Sequence, residues 1–270
     1  MKDDAKIYQI EVGGKTVSFE TGRLAEQANG TCLVKCGETV VMVNVTMSKQ
    51  PRPGIDFFPL SVDFEEKMYS VGKIPGGFKK REGRPSDKAI LTSRLIDRPL
   101  RPLFPKGFYH DVCVVATALS VDPDHEPEIL AMLGSSFALA ISDIPFMGPT
   151  GSVRVGLVDG QLIINPTAEE REKSVMNMTV AGTDEAILMI EGGANEVPEE
   201  TLLDAIMLAH EEIKKIVACI KNVKAEIGKP VAQNLVYDIV PEEINSAVRE
   251  YADAKLDYAL DTFEREERQN

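Results

Sequence analysis

The residue types best suited to chemistry concentrate near position 80, where an aromatic ring comes directly before a run of cations. A pair of glycines gives the backbone freedom there, and four residues follow it: Phe78, Lys79, Lys80 and Arg81. Proteins hold single-stranded nucleic acid in this way, stacking bases on flat rings while cations neutralise the phosphates. Composition alone leaves a solvated surface loop with one stray aromatic as an equal alternative.

This stretch lies inside a wider positive segment of an acidic chain. The 270 residues carry a formal net charge of -13, which as a global figure argues against a polyanionic ligand. Residues 78–106 nevertheless hold nine basic and three acidic side chains, a local balance of +6. Because the Debye length is about 8 Å at physiological salt, a polyanion responds to this patch more than to distant acidic faces.

Other candidate sites are weaker. One histidine–carboxylate cluster could hold a metal or act in acid–base catalysis, although a structural role at the start of the next helix is favoured; its members are Asp122, Asp124, His125, Glu126 and Glu128. His110 and His210 stand alone. The four cysteines form no CxxC motif, and Cys32 and Cys36 are better explained as strand residues than as metal ligands. Glycine pairs at 76–77 and 192–193 are assigned to turns, since neither belongs to a phosphate-loop motif.

The elements that must position these residues follow from the hydrophobic periodicity. Ser86 is predicted to cap a helix that ends before Pro99. Strands are predicted at residues 7–12, 15–20, 31–35, 39–47, 57–64, 112–121, 153–158, 161–164, 174–181 and 186–191, and helices at 87–97, 127–141, 198–225 and 241–270. Strand pairs followed by helices indicate an α+β fold of layered sheets and helices.

No apolar run reaches the roughly 20 residues of a membrane span, and no signal peptide is recognisable, so a cytoplasmic protein is expected.

Several motifs resemble one family. The run Ile74-Pro-Gly-Gly-Phe-Lys-Lys-Arg-Glu-Gly-Arg-Pro-Ser86, followed by Arg94-Leu-Ile-Asp-Arg-Pro99, closely resembles the first ribonuclease PH-like domain of the polynucleotide phosphorylase family. Shorter matches occur at residues 122–128, 149–151, 165–167 and 180–183. The resemblance implies a ribonuclease PH-like (ribosomal protein S5 domain 2-like) domain over residues 1–228. Residues 229–270 would then begin an all-α linker domain that is cut short.

In this family the loop near position 78 projects into the central channel of a trimeric ring and grips the entering RNA. The resemblance therefore assigns RNA binding to Phe78, Lys79, Lys80, Arg81 and Arg84. The common family pattern has two aromatics and then two arginines, whereas Lys79 here takes the second aromatic place and Lys80 the first arginine place. Lysine lacks the planar fork of arginine, so a looser and more salt-sensitive grip on phosphates is expected.

The resemblance also implies that this chain has no catalytic residue and no metal ligand. Active members hold phosphate with a Thr-Arg or Ser-Ser pair at a helix N-terminus, where this chain has Pro127 and Glu128. A carboxylate there repels phosphate, by about 4 kcal/mol for one pair at 4 Å and an effective dielectric near 20. The magnesium-binding aspartates and a lysine of active members are replaced by Arg171, Val175, Asn177 and Thr179. Mg²⁺ would be bound by a second ribonuclease PH-like domain that this chain lacks.

The function so implied is part of a 3′-to-5′ phosphorolytic exoribonuclease, which degrades mRNA to nucleoside diphosphates in a reversible reaction. This part would bind RNA at the channel entrance and build the ring. The implied partners are single-stranded RNA, inorganic phosphate, two further copies in a homotrimer, and components of an RNA degradosome, with no membrane. Two alternatives stay open: a self-sufficient ribonuclease PH-like exonuclease, and a non-catalytic ring subunit like those of exosomes.

Overall fold

Two sheets and six helices make up residues 5–269, the part of the chain that the computed structural model describes. The strands are Lys6–Val12 (β1), Lys15–Thr21 (β2), Gly30–Cys36 (β3), Thr39–Met47 (β4), Leu60–Glu66 (β5), Val112–Ser120 (β6), Gly151–Val158 (β7), Gln161–Ile164 (β8), Met176–Gly182 (β9) and Ile187–Ala194 (β10). The helices are Asp87–Leu100 (α1), Pro127–Ile141 (α2), Ala168–Lys173 (α3), Glu199–Ile227 (α4), Glu242–Asp261 (α5) and Arg265–Gln269 (α6). The last residue of the predicted C-terminal helix, Asn270, lies outside the described range.

The larger sheet has six strands in the order β1-β2-β3-β4-β6-β5. Its first hairpin turns at Gly13 and Gly14, both with positive φ, as the sequence predicts. β5 pairs with β6 in parallel, because α1 carries the chain back along the sheet between them, and the other pairings are antiparallel. The smaller sheet has the order β10-β9-β7-β8 and is antiparallel throughout.

Helix α2 forms the centre of the core. It packs against β3 and β4 on one side and against β7 on the other, and every residue from Glu128 to Ile141 is buried. Phe19 of β2 stacks on Phe137 of the helix with ring centroids 4.8 Å apart. Helix α4 covers β7 and β9 and also contacts α2. This layered arrangement of sheets and helices confirms the predicted α+β fold.

The free edge of β5 is covered by side chains of α1 and of Arg101, the residue that follows it. The Ser93 hydroxyl accepts the Phe64 N–H at 2.9 Å, and Arg101 donates to the carbonyls of Phe58 and Leu60, each at 3.2 Å. These bonds pair backbone groups that an edge strand would otherwise expose. They also fix α1 along this edge of the sheet.

Three predicted boundaries are wrong for local reasons. β5 begins at Leu60 and not at Phe57, whose side chain is exposed. Helix α1 continues through Pro99 to Leu100, because a proline in the last turn removes only one donor and its ring is buried here. β10 extends to Ala194 and so includes Gly192 and Gly193, which the sequence assigned to a turn. A Cβ at Gly192 would stand 2.3 Å from the Asn177 carbonyl oxygen, so the close pairing of β10 with β9 requires glycine there.

The C-terminal region also differs from the prediction. Two helices, α5 and α6, replace the single predicted one, and no residue of α5 is buried. Residues 229–238, called the return segment below, lie back along the domain. The Lys229 N–H bonds the Ile141 carbonyl at 3.0 Å, and the Asp238 N–H bonds the Gly107 carbonyl at 2.8 Å. Within residues 5–269, no helix combines the length and the apolar character needed to cross a membrane.

Candidate nucleic-acid interface

The basic loop, defined as Phe78, Lys79, Lys80, Arg81 and Arg84, lies beyond the carboxyl end of β5. A short 3-10 helix, Met68–Val71, follows β5, and residues 72–86 then run without regular structure to the start of α1. All five side chains of the basic loop are exposed. The structure therefore brings the predicted RNA-binding residues together on one projecting segment.

The tip of this segment is a tight turn. The Lys80 N–H donates to the Gly77 carbonyl at 3.0 Å, which puts Phe78 and Lys79 at the two corner positions. Lys80 itself has a φ of +51°, a left-handed conformation that side chains other than glycine adopt at a cost. The Phe78 ring is fully exposed, at 103% of its reference area, and so both of its faces can stack on a base.

The wider positive segment is less positive than its composition predicts, because two of its cations pair with acidic residues outside it. Arg98 pairs with Glu191 and Lys88 pairs with Glu128, while Arg101 pairs with Asp97 inside the segment. No ion pair within 4.0 Å is found, among the residues that the structure describes, for Lys79, Lys80, Arg81, Arg84, Arg94 and Lys106. The cations available to phosphates are thus concentrated in the basic loop.

The carboxylates of Glu66 and Glu82 connect residues 72–86, which carry the basic loop, to the end of β5 and the residues after it. Ser86 accepts the Ala89 N–H at 3.0 Å as the predicted cap of α1, and its own hydroxyl donates to Glu66 at 2.6 Å. Glu82 accepts the Met68 N–H at 3.2 Å. Hydrogen bonds from the N–H groups of Glu82 and Met68 lower the pKa of the Glu82 carboxyl, so it stays ionised at neutral pH.

The first turn of α2, which the sequence predicts to repel phosphate, holds a buried carboxylate. Glu128 is only 4% exposed, and Lys88 of α1 reaches it at 2.5 Å. Partial burial acts to lower the pKa of Lys88, but the hydrogen bond and charge of Glu128 outweigh this effect and raise it. The carboxylate predicted to repel phosphate is therefore buried, and it is paired with a lysine of the same domain.

A second ion pair fills the neighbouring space. The Arg154 guanidinium of β7 bonds the Glu126 carboxylate, and both side chains are less than one-fifth exposed. Arg171 lies 3.8 Å from the same carboxylate and also donates to the Pro166 carbonyl at 2.8 Å. The Glu126–Arg154 pair was not predicted from the sequence, because its members are 28 residues apart on different elements.

Four residues are aligned with the magnesium-binding aspartates and the lysine of active members, and they do not fit Mg²⁺. Arg171 brings a positive charge to one position, and Val175 is an apolar side chain that is 44% exposed. Thr179 lies 3.4 Å from Arg154, which leaves the exposed amide of Asn177 as the remaining oxygen donor of the four. Among residues 5–269, no three His, Cys, Asp or Glu side chains are arranged to hold a metal ion.

The histidine–carboxylate cluster joins structural elements. Asp122 accepts the Asp124 N–H at 3.0 Å and a hydrogen bond with His125 at 2.9 Å, and these bonds lower the pKa of Asp122. Asp124 accepts the Ala168 N–H of α3 at 3.0 Å. Of the residues predicted to stabilise the α2 N-terminus, Glu128 lies in the first turn of that helix, whereas Asp122 and Asp124 bind their own turn and α3.

Comparisons with known proteins identify the family of this chain. The family described as "3′ exoribonuclease family, domain 1" matches residues 13–145, and "domain 2" of the same family matches residues 148–212. A polyribonucleotide nucleotidyltransferase of Clostridioides difficile (strain 630) is 61% identical over 263 residues, which are 97% of this chain and 37% of that relative. One of the same name from Caldicellulosiruptor saccharolyticus is 61% identical over 251 residues, 92% of this chain and 35% of the relative.

A solved structure supports the fold alone. Rice Rrp46 superposes with a TM-score of 0.62 at 15% identity, covering 77% of this chain and 94% of that one. The chain spans a little more than a third of the length of the curated relatives it matches. The predicted resemblance is confirmed: the chain belongs to the 3′ exoribonuclease family, and it is similar to the bacterial polyribonucleotide nucleotidyltransferases.

Proposed function

We propose that this chain is the RNA-gripping part of a phosphorolytic exoribonuclease. The whole protein would degrade RNA from its 3′ end with inorganic phosphate, releasing nucleoside diphosphates, and would run the reaction in reverse as a polymerase. The observation that carries the proposal is the projecting basic loop, in a chain about 60% identical to polyribonucleotide nucleotidyltransferases. The first turn of α2 in the same domain holds the Glu128 carboxylate, which pairs with Lys88 and would repel phosphate. Gripping RNA and cutting it would then belong to different parts of the protein.

RNA binding is assigned to Phe78, Lys79, Lys80, Arg81 and Arg84. The ring is fully exposed, and the four cations carry no ion pair among the described residues. A single strand can therefore stack one base on the ring while its phosphates meet the neighbouring charges. Two of the cations are lysines, which bind phosphate as point charges and without a bidentate fork, so the affinity should fall steeply with salt.

Catalysis is assigned to a second ribonuclease PH-like domain outside this chain, which would also bind Mg²⁺ and phosphate. The alternative of a self-sufficient exonuclease would need phosphate beside Glu128 and a metal beside Arg171. Both charges have the wrong sign for those ligands, and both side chains already have partners within the domain. We further propose a homotrimeric ring in the cytoplasm, with RNA degradosome components as additional partners.

The assignment can be tested with the chain itself. Mixed with single-stranded RNA, Mg²⁺ and inorganic phosphate, the chain should bind RNA but release no nucleoside diphosphate above background. A full-length relative assayed in parallel is the positive control for phosphorolysis. Release of nucleoside diphosphate by this chain would overturn the division between grip and catalysis and support the self-sufficient exonuclease.

The RNA-binding assignment has its own test. Replacing Lys79, Lys80 and Arg81 with alanine should weaken RNA binding and reduce the slope of log affinity against log salt by about 2, since roughly 0.7 counterions are released per neutralised phosphate of a single strand. A matched control replaces three exposed lysines of α4, Lys215, Lys221 and Lys224. An unchanged salt slope in the loop variant would remove the basic loop from the RNA path.

A further inference from the structure

The segment that carries the basic loop is attached to the domain by very few contacts. Of the hydrogen bonds and ion pairs made by residues 74–85 within the described chain, only one leaves the segment, the bond from the Met68 N–H to the Glu82 carboxylate at 3.2 Å. The bond between Lys80 and Gly77 lies inside the turn. Between Ile74 and Pro85, Glu82 is thus the one residue that forms a hydrogen bond or ion pair with the rest of the described domain.

Apolar packing does not replace that attachment. A cleft of about 380 Å³ lies beneath the C-terminal arm of the segment, between residues 82–86 and the end of β5. Ile74 and Phe78 are exposed, and none of residues 72–86 is buried. A loop with few buried contacts samples many conformations unless specific bonds restrict it.

From this geometry we propose that Glu82 is a positioning residue, which holds the basic loop in its RNA-binding conformation through the Met68 N–H. The inference rests on the proposed RNA-binding role of the loop. Glu82 directly follows Arg81 and lies two residues before Arg84, so fixing its side chain fixes the backbone between two of the phosphate-binding cations. Restricting the loop in advance reduces the conformational entropy that RNA binding would otherwise cost.

A purely electrostatic account predicts the opposite sign. Glu82 is a negative charge among four cations, so its removal should strengthen RNA binding if the charge alone mattered. Positioning predicts weaker binding when the hydrogen bond to Met68 is lost, even though the local charge becomes more positive. The two accounts can therefore be distinguished by whether removing the Glu82 side chain weakens or strengthens RNA binding.

The test compares two substitutions that remove the same charge. Glu82→Gln keeps a carbonyl oxygen that can accept the Met68 N–H, whereas Glu82→Ala keeps none. We expect Glu82→Ala to weaken binding of a single-stranded RNA by about fivefold, since ordering freed side chains and loop costs about 1 kcal/mol. Glu82→Gln should bind as tightly as the unsubstituted chain or more tightly. Equal or tighter binding by Glu82→Ala would overturn the proposal.

A matched control and an RNA-free measurement complete the design. Glu65→Ala removes a carboxylate from the same cleft without touching the segment, and it should not weaken binding. Trypsin should cleave after Lys79, Lys80 or Arg81 faster in Glu82→Ala than in Glu82→Gln, at an unchanged melting temperature. Equal cleavage rates in the two variants would also contradict the positioning role of Glu82.

Failure of this inference can be told from failure of the proposed function. If the triple alanine variant of the basic loop leaves RNA binding unchanged, the loop is not the RNA site, and the proposed function fails. If the triple variant weakens binding while Glu82→Ala does not, the grip stands and only the positioning role is excluded. The salt slope should stay the same in Glu82→Ala, because no phosphate contact is removed.

Discussion

At the scale of single residues, a substitution at Phe78 tests the contribution of base stacking to RNA binding separately from that of charge. Its ring is fully exposed and lies at the corner of a turn, so replacing it should not disturb the fold. Base stacking on an aromatic is worth about 1–3 kcal/mol per base, and we expect Phe78→Ala to lower RNA affinity by an amount in that range. Fluorescence anisotropy with a labelled single strand measures this loss, and Phe78→Tyr is the control that keeps a ring.

The salt dependence distinguishes the ring from its neighbours. Loss of stacking should shift the affinity equally at every salt concentration, whereas loss of a lysine changes the slope. A falling melting temperature in Phe78→Ala would instead indicate that the ring packs on the domain, contrary to its exposure.

Glu126 should matter for stability and not for RNA binding. Its carboxylate pairs with Arg154, whose side chain is only 14% exposed, so Glu126→Ala leaves a largely buried cation unpaired. We expect a loss of about 2 kcal/mol in the free energy of unfolding, less than for a fully buried pair because some solvent reaches both groups. Urea denaturation measures it. Adding Arg154→Met to the same variant should recover much of the loss, and no recovery would contradict the pairing.

Around the N-terminus of α2, sequence reasoning identified some of the charged residues but missed an ion pair between two others. Glu128 and Arg171 could be singled out from the sequence, because each stands in line with a motif residue of active members; the absence of phosphate and metal sites that they imply stays a prediction. The Glu126–Arg154 pair could not, since β7 meets the α2 N-terminus only in the folded chain. Likewise, the sequence placed nine cations in one segment but could not show that Glu191 neutralises Arg98 across 93 positions.

At the scale of elements, α3 illustrates a local signal that was available but not used. Thr167 and Glu170 form a capping box, with the Thr167 N–H donating to Glu170 at 2.7 Å and the Glu170 N–H to Thr167 at 3.4 Å. A threonine followed three residues later by glutamate is a known helix-start pattern. Reading residues 165–167 only as a family motif concealed this helix.

Removing the cap should destabilise the protein measurably. Thr167→Ala should cost about 1 kcal/mol of unfolding free energy, while Thr167→Ser should keep the bond to the Glu170 N–H. The hydrogen bonds from Thr167 lower the pKa of Glu170, so its stabilising contribution is present above its ordinary pKa and is lost as the pH falls through the lowered one. Equal acid stability of Thr167→Ala and the unsubstituted chain would argue against the capping box.

At the scale of the whole molecule, the sequence predicted the order of the elements but not their partners. Periodicity located all ten strands of the described chain, because alternation is a local property. It could not place β6 between β4 and β5, since that position depends on the return of the chain through α1. The basic loop lies in this parallel crossover, between β5 and α1, and Ser93 and Arg101 hold the α1 end of the crossover against the edge of β5.

The return segment shows the same limit, since His110 was predicted to stand alone. Its ring is fully buried, its Nδ1 bonds the Ser48 carbonyl at 2.9 Å, and its Nε2 accepts the Val236 N–H at 3.2 Å. Accepting at Nε2 requires the proton on Nδ1, so the neutral ring joins the return segment to the loop after β4. A histidine 126 residues from its partner carries no sequence signal of this role.

Replacing this ring should release the return segment from the domain. His110→Ala leaves the Val236 N–H and the Ser48 carbonyl without partners and opens a gap beside Phe108, which stacks on the ring at a centroid distance of 5.2 Å. We expect a loss of about 2–3 kcal/mol in unfolding free energy, from two unpaired groups and the lost packing.

Hydrogen exchange by mass spectrometry should locate that change. Amides of residues 229–240 should exchange faster in His110→Ala, while those of α2 keep their relative protection, because the lost bonds attach the segment and not the core. His210→Ala is the matched control, since its half-buried ring makes one bond, to the Thr183 carbonyl at 3.1 Å on another face. Unchanged exchange in residues 229–240 would mean that Lys229, Ala232 and Asp238 hold the segment without the histidine, through their own backbone bonds.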